Sequence, residues 1–180
     1  MILLCYDGSA GARAAIDLAA RAMPGTRATV LTIWEPFLEA VNRGSWFAGD
    51  FTLGDGGQNY EQIDRAAEQA ALETAAEGAQ RAQDGGLVAR ARVASRQRGI
   101  ADAILFEAAV VDADMIVVGS RGRGDLKSFL LGSVAHHLVQ HADRAVNVVP
   151  SRDLVVQRRH VHATSMVVGA ARAARSAIAH

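Results

Sequence analysis

The stretch Met115-Ile116-Val117-Val118-Gly119-Ser120-Arg121-Gly122-Arg123-Gly124 decides the fold of this chain. Its apolar first part predicts a buried β-strand, and its glycines predict a loop whose backbone can approach a ligand closely. Gly132 and Ser133 then open a segment with helical spacing. Backbone N–H groups at the start of a helix attract anions. The stretch therefore predicts a strand, a glycine loop and a helix start that bind a phosphate chain.

The spacing excludes two common phosphate loops. A Walker A loop requires a lysine directly after Gly-x4-Gly, but Asp125 follows Gly124 here. A dinucleotide fingerprint requires a glycine or alanine three residues after its second glycine, where this chain has Lys127. The pattern that is left is Gly119-x2-Gly122-x9-Gly132-Ser133. The alternative is that the glycines form only a tight turn and that Ser133 is only the N-cap of its helix.

Apolar runs alternate with helix-forming segments along residues 1–150. The apolar runs predict β-strands at residues 2–6, 29–34, 88–94, 115–118 and 145–149. Helical spacing and alanine-rich composition predict helices at residues 12–22, 61–84, 100–111 and 133–141, with a long loop at residues 36–60. This order predicts an α/β fold, a doubly wound, Rossmann-like domain with a five-stranded parallel sheet and helices on both faces.

Three strand ends are expected to line one crevice. In a doubly wound sheet, ligands bind outside the carboxyl ends of the strands, where the winding reverses. Asp7, Ile33 and Gly119 stand at the ends of the first, second and fourth predicted strands. Asp7 would then contact the ligand, although aspartate at a strand end is also a common turn residue. Ser9 is expected to cap the first helix.

The glycine pattern resembles the nucleotide loop of the ATP-binding branch of the universal stress protein family, which reads Gly-x2-Gly-x9-Gly-Ser/Thr. Asp7-Gly8-Ser9 also resembles the end of that family's first strand. The resemblance covers residues 1–150 and implies a universal stress protein domain of the adenine nucleotide alpha hydrolase-like fold. Two departures, Arg98-Gly99 before the third helix and Arg144-Ala145 before the fifth strand, lie outside the nucleotide contacts that the resemblance implies.

The resemblance also implies which residues bind the nucleotide. Asp7 would lie near the ribose, and the backbone of Ile33 would hold the adenine. The phosphates would lie on the loop and the following helix start, at Gly119, Gly122, Gly132, Ser133 and Val134. The implied ligand is ATP, with Mg²⁺ held through the phosphates.

The implied function is that of an ATP-binding, nucleotide-responsive regulatory protein in the stress response. The resemblance further implies a homodimer formed through the fifth strand. It also implies a protein partner, which the sequence does not identify, that senses whether nucleotide is bound. The alternative is an enzyme that slowly hydrolyses ATP or transfers a nucleotidyl group on the same fold. The pattern offers no clear general base, which favours the regulatory protein over the enzyme.

Composition indicates an ordinary globular protein. The 180 residues are 50% hydrophobic and 21% charged, with a formal net charge of zero, so nothing indicates bulk attraction to nucleic acid or to a membrane surface. The single cysteine, Cys5, excludes an intramolecular disulfide, and we expect it to be a buried, inert thiol in a cytoplasmic protein. His137 and His141 share a helical spacing but have no third ligand, so no metal site is predicted.

Residues 151–180 are predicted to be a separate basic extension. They contain five arginines against one aspartate, which leaves the first 150 residues with a formal charge of −4. Apolar residues 154–156 are compatible with an edge strand, and the apolar spacing from Val167 to Ile178 is compatible with a docking helix.

Overall fold

A computed structural model of the chain describes residues 1–42, 57–96, 98–122, 131–151 and 154–156. In these parts it contains one parallel sheet, in the order β3-β2-β1-β4-β5. The strands are β1 (Ile2–Cys5), β2 (Arg27–Trp34), β3 (Val88–Ser95), β4 (Met115–Gly119) and β5 (Ala145–Val149). The predicted doubly wound α/β fold is confirmed. The chain first adds β2 and β3 on one side of β1 and then adds β4 and β5 on the other side. The winding therefore reverses between β1 and β4.

Helices cover both faces of the sheet. They are α1 (Ala10–Ala22), α2 (Phe37–Asn42), α3 (Gly57–Asp84), α4 (Ile100–Val110) and α5 (Ser133–His141). Successive strand residues point to opposite faces, so Leu4 packs in a cluster with α1 and α3, whereas Leu3 packs in a second cluster with α4 and α5. Both faces are therefore buried, which explains the continuous apolar runs of the central strands.

Helix α3 buries one stripe of alanines rather than lying wholly in solvent. Ala71, Ala75, Ala79 and Ala82 are buried and recur every three or four residues. A Cβ atom built on Gly78 would lie 2.7 Å from the ring of Tyr6, so the absent side chain lets α3 approach the sheet closely. From Tyr60 to Asp84, most of the other side chains of the helix are polar and exposed.

The predicted loop at residues 36–60 is partly helical. It contains α2, and α3 begins at Gly57 rather than at residue 61. The backbone N–H of Phe37 donates to Asp64 Oδ1 at 2.7 Å, and the Phe37 ring stacks on Tyr60 with a centroid distance of 5.1 Å. A six-residue helix is too short to give a periodic signal and is stabilised here by these contacts with α3. The rest of that predicted loop, residues 43–56, lies outside the described residues.

The predicted edge strand at residues 154–156 is wrong. These residues form a helical turn in which the backbone N–H of Val155 donates to Ser151 O at 3.1 Å. Leu154 is buried, so tertiary packing overrides the β-branched composition of the segment. The docking helix predicted further along the extension lies outside the described residues. Within the described part of the chain, no helix has the length and hydropathy that a membrane span requires.

Candidate functional site

Asp7 and Gly8 form the turn that leads from β1 into α1. Gly8 adopts a φ of 76°, which glycine tolerates without strain. Asp7 Oδ1 accepts a hydrogen bond from the backbone N–H of Ser9 at 3.0 Å. Ser9 Oγ in turn accepts from the N–H of Ala12 at 3.2 Å, which confirms Ser9 as the N-cap of α1. The turn therefore holds the Asp7 carboxyl at the carboxyl end of β1.

The glycine loop is held at its entry and at its exit. The backbone N–H of Ser120 donates to Val149 O in β5 at 2.7 Å, and the N–H of Gly132 donates to Ser120 O at 2.9 Å. Residues 123–130 lie outside the described residues. The two hydrogen bonds meet at Ser120, so they bring the residues before and after this gap together and place Gly122 and Gly132 at one end of the sheet.

Asp7 and Gly122 lie against each other. A Cβ atom built on Gly122 would be 2.7 Å from Asp7 Oδ2. The end of β1 and the loop after β4 therefore lie side by side where the winding reverses, which is where the sequence predicts a ligand crevice. Any side chain at residue 122 would occupy the space next to the carboxylate.

The N-terminus of α5 provides the donors that an anion needs. Gly132, not Ser133, is the N-cap, and it makes no side-chain capping hydrogen bond. Ser133 is the first helical residue, so the alternative that Ser133 is merely the N-cap is wrong. The first-turn N–H groups of a helix have no intrahelical acceptor, and here no cap side chain supplies one. A phosphate oxygen fits this position, and the helix dipole favours its negative charge.

Val134 and Ile33 can reach such a ligand only through their backbones. Both side chains pack against the core cluster under α4 and α5. Leu31 O accepts from Tyr6 N, and successive residues of a strand direct their backbone groups to opposite neighbours. Ile33 therefore directs its N–H and C=O to the β1 side, beyond the last β1–β2 pair, Cys5 with Leu31.

Gly119 has a packing role that the sequence does not reveal. A Cβ atom on Gly119 would lie 2.7 Å from the carbonyl carbon of Gly11 and 3.0 Å from the nitrogen of Ala12. The first turn of α1 therefore rests directly on the end of β4. Gly11 was missed by sequence reasoning, because no motif contains it and its contact with the loop spans more than a hundred residues of chain.

Two further features near the crevice were also missed. Ser120 is only 5% exposed, and its Oγ has no hydrogen-bond partner among the residues that the structure describes.

A cavity of about 460 Å³ lies beside the ends of β2 and β3. Its lining includes Trp34, Arg98 and Phe106 but none of the predicted site residues. Its size falls within the range of small-molecule sites.

The structure also shows the surroundings of Cys5 and of the pair His137 and His141. Cys5 is buried, and burial together with the nearby Asp7 raises the pKa of its thiol to about 12, so it is an inert thiol as predicted. His137 stacks on His141 with a centroid distance of 4.1 Å and lies 3.3 Å from Asp102 Oδ1. Within the described ranges, no three His, Cys, Asp or Glu residues form a group suited to a metal ion.

Comparison with protein families gives one match over most of the chain. The model of the universal stress protein family matches residues 1–150. A curated relative, the universal stress protein Slr1101 of Synechocystis, is 50% identical over 42 residues. That match covers 23% of this chain and 39% of the relative, so it spans well under half the length of either protein.

Solved structures share the fold at low sequence identity. The hypothetical protein MJ0577 aligns with a TM-score of 0.62 at 21% identity, over 83% of this chain and 94% of that protein. A universal stress protein family member from Arabidopsis thaliana, solved with AMP bound, aligns with a TM-score of 0.56 at 14% identity, over 84% of this chain and 91% of that protein.

Proposed function

This chain belongs to the universal stress protein family, and on that premise we propose that it binds an adenine nucleotide, ATP with Mg²⁺, between Asp7 and the glycine loop. Binding would make it a nucleotide-responsive regulatory protein in the stress response. The observation that carries the proposal is the direct approach of Gly122 to the Asp7 carboxylate, which brings the end of β1 and the loop after β4 side by side.

The phosphates would bind at the exit of the glycine loop. The α5 N-terminus has no side-chain cap, so the first-turn N–H groups at Ser133, Val134 and Ala135 suit phosphate oxygens. Gly122 and Gly132 carry no side chain that would separate the backbone from the ligand. The same crevice contains the negatively charged Asp7, which favours placing Asp7 next to ribose hydroxyls and the phosphates further along the loop.

The nucleobase would bind at the end of β2. Ile33 directs its backbone N–H and C=O past the end of β1, where they can pair with the edge of an adenine ring. Strands β4 and β2 lie on either side of β1, and two strand spacings separate them by about 10 Å. A mononucleotide can bridge that separation with its base at β2 and its phosphates at the loop. The AMP-bound Arabidopsis structure, which shares the fold, supports an adenine nucleotide as the ligand.

The metal ion would arrive with the nucleotide. The described residues provide no metal-binding group of three or more side chains, and Asp7 Oδ1 already accepts from Ser9. Mg²⁺ would therefore be held chiefly by the phosphates, as it commonly is in nucleotide sites. The ion would neutralise part of the phosphate charge at the glycine loop.

The described crevice favours binding over rapid turnover. Fast phosphoryl transfer requires a positioned base together with cationic or metal stabilisation of the transferring group. Asp7 is the carboxylate that the described crevice provides, and it lies at the proposed ribose end. We therefore expect ATP turnover below about 1 s⁻¹, the low end of ordinary enzyme rates. Faster turnover that disappears in a loop variant would favour the enzyme alternative.

The test is nucleotide release and thermal stabilisation. Freshly purified protein is denatured and the released nucleotide identified by mass spectrometry, with ATP expected. Added Mg·ATP at about a hundred times its Kd should stabilise the fold by about 2.7 kcal/mol, or roughly 5–10 °C in Tm for a domain of this size. A Tm that does not change up to millimolar ATP contradicts the proposal.

Loop variants locate the site. Gly122→Val introduces a side chain next to Asp7 Oδ2, and Gly132→Val crowds Ser120 O, which would lie 3.1 Å from the new Cβ. Both variants should lose the ATP-induced rise in Tm while keeping the far-ultraviolet spectrum of the folded protein. Ala109→Val, at an exposed position of α4, is the matched control and should respond to ATP like the parent chain. Normal ATP responses in both glycine variants would mean that the loop is only a turn.

A further inference from the structure

The first turn of α1 lies in direct backbone contact with the glycine loop. A Cβ atom on Gly11 would be 2.7 Å from the carbonyl oxygen of Arg121. From the other side, a Cβ atom on Gly119 would be 2.7 Å from the carbonyl carbon of Gly11. Both neighbours are backbone, so no side-chain rotation could relieve either contact. Gly11 therefore allows a helix–loop approach that no other residue type would permit.

The Arg121 carbonyl directly follows Ser120, the residue that makes both hydrogen bonds that hold the loop. The N–H of Ser120, the preceding residue, donates to Val149 O, and Ser120 O accepts from the N–H of Gly132. The following residue, Gly122, is the one that approaches Asp7 Oδ2. A displacement of the Arg121 carbonyl would consequently strain the entry and exit bonds and shift Gly122 relative to Asp7.

We propose that Gly11 is a positioning residue for the phosphates: it sets the height of the glycine loop above α1, and so the geometry in which the loop meets a phosphate chain. The inference rests on the nucleotide site proposed above and adds a residue that need not touch the ligand. Because the contact lies under the loop and away from the end of β2, it affects binding of the phosphates and leaves binding of the nucleoside unchanged.

The test compares ATP with adenosine in two alanine variants. Gly11→Ala presses on the loop from the start of α1. Gly85→Ala is the matched control, because its Cβ would lie 2.6 Å from Ala20 Cβ, near the other end of the same helix. The two ends are about 14 Å apart along the helix axis. Gly11→Ala should weaken ATP binding at least tenfold in calorimetry and leave adenosine binding within twofold. Gly85→Ala should lower Tm without changing the ratio of the two affinities.

A second measurement requires no ligand. Amide hydrogen exchange at Ser120 and Gly132 reports the two loop bonds directly, and it should become at least tenfold faster in Gly11→Ala but not in Gly85→Ala. If Gly11→Ala does not fold, Gly119→Ala, which presses on the same contact from the loop side, must show the selective loss of ATP binding. Normal ATP binding by Gly119→Ala would then overturn the inference.

The outcomes separate the inference from the proposed function. If the parent chain binds neither ATP nor adenosine, the proposed function fails and the inference fails with it. If the parent chain binds ATP and Gly11→Ala retains the parent ratio of ATP to adenosine affinity, the inference alone fails. An equal loss of both ligands in Gly11→Ala would also overturn it, because Gly11 would then be a packing residue of the whole domain.

Discussion

Asp7 connects two parts of the molecule because its carboxylate oxygens face different partners. Oδ1 accepts from Ser9 and fixes the start of α1, while Oδ2 lies where a side chain on Gly122 would be. The local turn could be predicted from Asp7-Gly8-Ser9, since aspartate commonly accepts from the N–H two residues ahead. The approach to Gly122 could not, because it depends on how β1 and β4 pair.

Cys5 gives a prediction about alkaline stability. Its thiol has a usual pKa of 9.0, and burial raises that pKa to about 12 in the folded chain. Between these two pKa values the folded state retains a proton that the unfolded state loses. The contribution of the thiol to the free energy of unfolding is therefore fully present below pH 9 and is lost as pH rises from 9 towards 12. The folded and unfolded states then differ by up to one bound proton, so the free energy of unfolding should fall by up to about 1.4 kcal/mol per pH unit.

The measurement for Cys5 is urea unfolding between pH 7 and 11, compared with Cys5→Ala. The alanine variant will be less stable at pH 7 because a buried side chain is truncated. Its free energy of unfolding should nevertheless fall less steeply above pH 9. Parallel pH profiles for the two chains would show that the thiol does not titrate on unfolding in this range.

At the scale of elements, Arg144 closes the C-terminus of α4. Its guanidinium Nη1 donates to Ala108 O at 2.8 Å and to Ala113 O at 2.7 Å. Asp143 holds the same guanidinium in place through hydrogen bonds of 2.7 Å and 3.1 Å. Carbonyl groups at a helix end have no intrahelical partner, and a cation there also interacts favourably with the helix dipole. A residue that the sequence marks only as a departure from its family is therefore a structural clamp.

Arg144→Met should destabilise the domain by about 2 kcal/mol, because hydrogen bonds from a charged donor are lost and the carbonyl groups are left without that partner. Arg65→Met is the matched control: it removes an exposed pair with Glu61 on α3 and should cost at most about 0.5 kcal/mol. Urea denaturation with an unchanged m-value measures both. Equal losses in the two variants would mean that Arg144 contributes no more than a surface ion pair.

Element boundaries were most predictable for the short apolar strands and for α5. Strand β5 and helix α5 have the predicted limits, and β1 and β4 differ from prediction by one residue. Helix α2 was missed because it is held by Asp64 and Tyr60 of α3 rather than by its own pattern. Strand β2 begins two residues before its predicted start, since Arg27 and Ala28 pair with Val88 and Ala89 of β3. Such extensions depend on the neighbouring strand and leave no local signal.

At the scale of the whole molecule, β5 is the last strand of the described sheet, which leaves one edge available to a second copy. We predict a homodimer through this edge. Val149 O accepts from the N–H of Ser120 in the loop after β4, so the backbone N–H and C=O of Val149 face β4. Successive strand residues direct these groups to opposite sides, so those of Asn147 also face β4 and those of Val148 face the open edge of the sheet. The alternative is that the basic extension, residues 151–180, covers the same edge.

Val148→Pro tests the dimer because it removes an outward N–H group without removing a bond to β4. Sedimentation at tens of micromolar should give twice the 19.0 kDa chain mass for the parent and a folded monomer for this variant. Asn147→Pro is the control and should destabilise the fold itself, because its N–H faces β4. A monomeric parent chain would favour the extension as the cover of the edge.

The sequence by itself determined the alternation of strands and helices, the parallel sheet and the family, because these depend on apolar runs and glycine spacing that are local along the chain. Tertiary structure alone decided that Gly122 approaches Asp7, that Gly11 supports the loop and that Arg144 closes α4. It also decided that Cys5 has a pKa of about 12. Each of these depends on burial or on a contact between distant segments. No local pattern records such contacts, because they form only when the sheet brings those segments together.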